Sequence, residues 1–104
     1  MHHPEIALTR SYHDSLGDLP EEDQKRCGRA IHDFVRDPSH PGLGFGRIQG
    51  ITGGRLCKMR AALDVRIILA REGNIYFPVL AGARAQIYER ARRGRFVIDR
   101  VGEV

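Results

Sequence analysis

The chain has no tryptophan, only two cysteines and, although it is basic, only two lysines. Cys27 and Cys57 are too few for a disulfide framework or a four-thiolate zinc site, and they are expected to be buried as small hydrophobes. No stretch approaches the roughly 18 consecutive apolar residues that span a bilayer. The opening MHHPEIALTR lacks the apolar core of a secretory signal. A cytoplasmic location without membrane contact is therefore expected. Repeats, linkers and low-complexity tracts are also missing, so the 104 residues, 41% of them hydrophobic, are read as one domain, residues 1–104. The five histidines (His2, His3, His13, His32, His40) show no paired ligand spacing, and neither a metal nor another cofactor is expected. Gly42-Leu43-Gly44-Phe45-Gly46 has no strand leading into it and no helix after it, which argues against dinucleotide binding. Gly50 to Arg55 lacks the Lys-Ser/Thr of a phosphate-binding loop. His13 and Asp14 beside Ser11 and Ser15 are near in sequence, and that alone does not make a catalytic triad.

What the chain does have is positive charge in one half. Residues 1–54 carry six Lys or Arg against eight Asp or Glu, whereas residues 55–104 carry eleven against five, so the net charge passes from −2 to +6. Ten of those eleven cations are arginines, whose planar fork suits bidentate contact with phosphate. Polyanion binding follows as a hypothesis. The run Arg90, Arg92, Arg93, Arg95 serves equally well as a solvated helix face.

Alternation over residues 5–8 predicts a short strand, and Thr9 is placed to cap a brief helix that Gly17 stops. Pro20 at a first helical position, followed by Glu21, Glu22 and Asp23, opens a second helix. Its apolar face is Cys27, Ala30, Ile31, Phe34 and Val35, and Asp37-Pro38 ends it. Residues 39–54 read as a long Gly- and Pro-containing loop. Strands over 55–61, 65–71 and 75–81 are joined by turns too short for anything but an antiparallel meander. Pro78 has no N–H for a central ladder, which predicts a bulge or an edge position. A last helix spans 83–93, and Phe96-Val97-Ile98 forms a further strand or a packed tail. The expected fold class is α+β, in the order β-α-α-β-β-β-α, with a small antiparallel sheet and helices on one face.

Several of these segments resemble RelE/ParE-type toxins. They are Leu19-Pro20 before the amphipathic helix, Asp37-Pro38-Ser39-His40-Pro41-Gly42-Leu43, Lys58-Met59-Arg60, Val65-Arg66-Ile67-Ile68, and Ala81-Gly82-Ala83-Arg84-Ala85-Gln86-Ile87-Tyr88. The wording of the first two also resembles RelE-like domains found alone or attached to UvrD-type helicases. The resemblance implies a toxin of a type II toxin–antitoxin system that cleaves mRNA on the ribosome without metal, using the RNA's own 2′-hydroxyl. Its implied partners are a cognate antitoxin, mRNA and the ribosome. It also implies roles for particular residues: Lys58, Arg66, Arg84 and Tyr88 in catalysis, with Arg60, Arg90, Arg92 and Arg93 holding RNA.

The strand period places Lys58 and Arg60 on one side, with Arg66 across a hairpin, while Cys57, Met59, Ala61, Ile67 and Leu69 turn toward the helices. Arg84 and Tyr88, four apart, share a side of the last helix. Each residue also has an ordinary reading. Lys58 suits an exposed strand, Arg60 an ion pair with Asp64, and Tyr88 packing on the sheet. Arg66 is the least expected charge, because a buried arginine needs a partner. The pattern departs from the family at Ala83, where many relatives carry histidine, at Ala85, where some carry an acid, and in having one lysine on its strand. Two other functions accompany this resemblance: a ParE-like inhibitor of DNA gyrase, and a non-catalytic nucleic-acid-binding module.

Overall fold

A computed structural model describes residues 3–48 and 55–94. The elements are β1 (Glu5–Ile6), α1 (Arg10–Gly17), α2 (Glu21–Arg36), a 3₁₀ turn (Pro41–Leu43), β2 (Gly46–Arg47), β3 (Leu56–Ala62), β4 (Val65–Glu72), β5 (Ile75–Ala83) and α3 (Arg84–Arg93). They form one five-stranded sheet in the order β1-β5-β4-β3-β2. The α+β class and the order of helices and meander strands are as expected. Phe96-Val97-Ile98 lies outside the described residues.

Two features of the expected architecture change. The meander is antiparallel, but β1 joins β5 in parallel, so the sheet is mixed. The helices also do not share one face. Cys57, Met59, Ile67 and Leu69 pack with Tyr12, Cys27, Ala30 and Phe34 of α1 and α2. Ile68, Ala70, Phe77 and Leu80 pack with Ile87 and Ala91 of α3 on the opposite face. The cause is visible in β4, where Val65 to Ala70 are buried without alternation. A strand with no polar side needs cover on both faces.

The proline in β5 is accommodated by a bulge. Ile68 pairs with Leu80 and Leu69 with Pro78, so Val79 is the extra residue. On the other edge of β5, β1 ends at Ile6, and side chains of α1 continue the pairing. Thr9 Oγ1 donates to the Pro78 carbonyl at 2.7 Å and Ser11 Oγ to the Val79 carbonyl at 2.8 Å, while the Ala81 N–H donates to Ser15 Oγ at 2.9 Å. Thr9 also accepts from the Tyr12 N–H at 3.1 Å as the expected cap of α1. Ser11 and Ser15 are thus committed to the sheet.

In α2, Pro20 caps the helix from outside, its carbonyl accepting from the Asp23 and Gln24 N–H groups. The described part of the segment read as a loop is organised. His40 Nδ1 accepts from the Gly42 N–H at 3.1 Å, Gly44 takes φ +54°, and Phe45 packs at a tilt against Phe34 and edge-to-face with Tyr76, with centroids 4.8 and 5.7 Å away. The chain thereby returns along β3 as β2, Gly46 opposite Lys58 and Arg47 opposite Cys57.

Candidate phosphate-binding site

The period-two geometry of β3 sends Met59 into the core with α2 and leaves Lys58 and Arg60 on the side covered by α3. Arg60 and Arg66 are paired across the β3–β4 ladder, so their side chains stand on the same face. β5 runs directly into α3 at Arg84, whose N–H donates to the Asp64 carbonyl at 2.7 Å. That bond ties the start of α3 to the β3–β4 turn, and one helical turn later Tyr88 follows on the same side.

The result is a cavity of about 250 Å³ lined by Lys58, Arg60, Arg66, Arg84 and Tyr88, closed on one side by Leu43 and Gly44. Four cations and a phenol line it, and no carboxylate does among the described residues. Among the described residues, Lys58, Arg60 and Arg84 enter no ion pair, whereas Arg55, Arg92 and Arg93 do. Four like charges around a small space repel one another, and a polyvalent anion relieves that repulsion.

Arg66 differs from the others. It is only 7% exposed, and its Nη1 donates to the carbonyls of Ala62 (2.8 Å), Leu63 (3.1 Å) and Val65 (3.1 Å). The partner this buried cation requires is therefore the backbone of the β3–β4 turn rather than an acid. One end of the guanidinium is fixed, and the group forms part of the cavity wall.

The remaining arginines of α3 lie elsewhere. Arg90 folds back over β5, where a Cβ on Gly82 would meet its Nη1 and the Cδ1 of Ile87, each at 3.3 Å. Arg93 pairs with Glu89 at 3.0 Å, and Arg92 approaches the same carboxylate at 3.9 Å. None of these three lines the cavity. Leu43 and Gly44 do, although neither carries a group that points to such a site in the sequence. Their only advance signal was the glycine, which takes a positive φ there.

The cysteines are remote from this chemistry. Both are buried, and Cys27 lies against Tyr12 inside the α1–α2 layer. Burial, with the Asp23 charge adding to it, pushes the Cys27 thiol up to about 11, and burial also raises Cys57. Neither is a poised nucleophile. Among the described residues no three His, Cys, Asp or Glu side chains converge as metal ligands, and no helix is long and apolar enough to cross a membrane.

A sheet covered by α1 and α2 on one face and by α3 on the other, with β1 parallel at its edge, is the fold of the RelE-like toxins. The chain is similar to the solved structure of YafQ from E. coli strain BL21(DE3) (TM-score 0.66, 9% identity), over 82% of this chain and 98% of that one. It is also similar to the RelBE2 toxin–antitoxin complex from Mycobacterium tuberculosis (TM-score 0.64, 12% identity, 80% and 100%). The RelB–RelE antitoxin–toxin complex from Methanococcus jannaschii gives a TM-score of 0.63 at 18% identity, over 80% and 95%. No protein-family model matches the sequence, and no curated protein matches it.

Proposed function

We propose that this chain is the toxin of a toxin–antitoxin system and that it cleaves mRNA on the ribosome at the Lys58–Arg84 cavity. The observation that carries this reading is that, among the described residues, the lining has four cations and no carboxylate, and three of those cations are free of ion pairs. Attack of an RNA 2′-hydroxyl on the adjacent phosphorus places a second negative charge on the phosphoryl oxygens, and fixed cations stabilise that charge more than the ground state. Arg66 and Arg84 hold the phosphate in this scheme. Lys58 stands near the 2′-oxygen as its proton leaves, Tyr88 carries a proton toward the 5′-oxygen or stacks on a base, and Arg60 contacts the RNA strand. Arg90, Arg92 and Arg93 act at longer range, through their field. The site works in the cytoplasm, where translating ribosomes are. An acidic antitoxin that covers the cavity would switch it off, in keeping with the antitoxin complexes among similar structures.

One observation favours a second reading, RNA binding without cleavage. Ala83, at the N-terminal cap of α3, has no side chain that carries a proton. The readings separate in one experiment with purified protein, translating ribosomes and mapping of RNA ends. Cleavage that disappears in Arg84→Ala and Lys58→Ala supports the nuclease. Salt-sensitive binding with no new RNA ends supports the binding module. Cleavage unchanged in both variants removes the cavity from the mechanism.

A further inference from the structure

Next to the cavity, on the other side of the partition made by Leu43 and Arg60, a larger groove of about 500 Å³ runs between α2, the 3₁₀ turn and the end of β3. Arg26, Arg29, His40 and Arg60 stand around it. Among the described residues Asp33 is its one carboxylate, and that group lies 3.8 Å from His32. We propose that this groove is a second RNA subsite, which takes the backbone phosphate of a nucleotide flanking the one in the cavity. The proposal rests on the RNA reading of the cavity and extends it from one phosphate to at least two.

Three features support RNA as the occupant. The first is continuity: Arg60 and Leu43 line both spaces, so a strand leaving the cavity passes the Arg60 guanidinium on its way into the groove. The second is the donor set. Arg29 makes no ion pair among the described residues, although Arg26 is held by Asp23 at 3.1 Å. His40 uses Nδ1 to accept from the Gly42 N–H, so Nε2 is the nitrogen left to donate to an outside acceptor. The third is shape. Ala30, Leu43 and Ala61 give the groove an apolar floor, and Leu63, 77% exposed at the β3–β4 turn, stands at its margin. A sugar or base fits against such a surface while its phosphate meets the rim. These are contacts of position rather than sequence, because guanidinium and imidazole donors read phosphate oxygens.

The test compares two RNA analogues made uncleavable by 2′-fluoro sugars, a dinucleotide with one phosphodiester and a decamer. The affinity of each is measured in wild type and in the exposed-site variants Arg29→Ala and Arg29→Glu, with Arg84→Ala as the control for the cavity. The expected result is a fall of roughly 5- to 10-fold in the decamer-to-dinucleotide affinity ratio for Arg29→Ala and a larger one for Arg29→Glu. The salt slope for the decamer should become shallower by about one in Arg29→Ala. Arg84→Ala should weaken both ligands. A ratio that stays at the wild-type value in both Arg29 variants, while Arg84→Ala still loses affinity, overturns the second subsite alone and leaves the groove to an acidic protein segment. Wild-type protein that binds neither RNA overturns the reading of the cavity itself, and the subsite with it.

Discussion

At the residue scale, two arginines of the same cavity should behave oppositely when removed. Arg66 is nearly inaccessible and holds three turn carbonyls, so Arg66→Ala should destabilise the fold by about 2 kcal/mol, the scale of a charged hydrogen bond lost from a buried position. Arg84 has no ion pair among the described residues, and Arg84→Ala should shift stability by less than about 0.5 kcal/mol. Urea unfolding monitored by circular dichroism distinguishes the two. Equal destabilisation would mean that the Arg66 bonds add little. That Arg66 was exceptional is readable from the sequence, since it interrupts an apolar run. Its partners are not, because three carbonyls become acceptors only when the turn folds back. Cys27 adds a pH effect. A thiol whose folded value lies near 11, against an ordinary value of 9.0, favours the protonated form in the fold. Its contribution is complete below pH 9 and is lost as the pH rises toward 11. Alkaline unfolding should therefore begin in that interval, and Cys27→Ser should shift its onset.

At the element scale, α1 acts as a substitute strand. Ser15 Oγ donates to the Tyr12 carbonyl and accepts from the buried Ala81 N–H, at 2.9 Å in each case. Ser15→Ala leaves that N–H unpaired and should cost about 1–3 kcal/mol in thermal or urea unfolding, whereas Ser11→Ala, at a part-buried position, should cost less. If the two substitutions prove equal, the buried N–H is being satisfied in another way. The meander was legible because its turns are short and its strands end at Asp64 and Gly73-Asn74. The bulge was legible because proline cannot donate. The placement of α3 across the opposite face and the two-residue strand β2 were not. Periodicity cannot tell which face of a doubly covered strand meets which helix. A two-residue strand has no pattern of its own, and its position depends on Phe45 reaching Phe34 and Tyr76.

At the scale of the whole molecule, the excess charge of the second half is sorted by the fold into distinct environments. Arg55, Arg92 and Arg93 are paired with Glu72 or Glu89 on the surface, Arg71 lies over the ring of Tyr76, and Lys58, Arg60, Arg66 and Arg84 surround one cavity. Strand alternation and the spacing of Arg84 and Tyr88 made this grouping foreseeable. The exclusion of Arg90, Arg92 and Arg93 was not, because it depends on Glu89 and on the bare backbone at Gly82. If the cavity cations act on a phosphodiester, the chemistry of the RNA ends after induced expression must show it. A 2′-hydroxyl nucleophile leaves a 2′,3′-cyclic phosphate on one fragment and a 5′-hydroxyl on the other. Cells expressing the wild-type chain should contain mRNA fragments with those ends, and the fragments should disappear with Arg84→Ala at equal protein level. Abundant fragments of the same kind with Arg84→Ala, or growth arrest without any new ends, would contradict that role of the cavity cations.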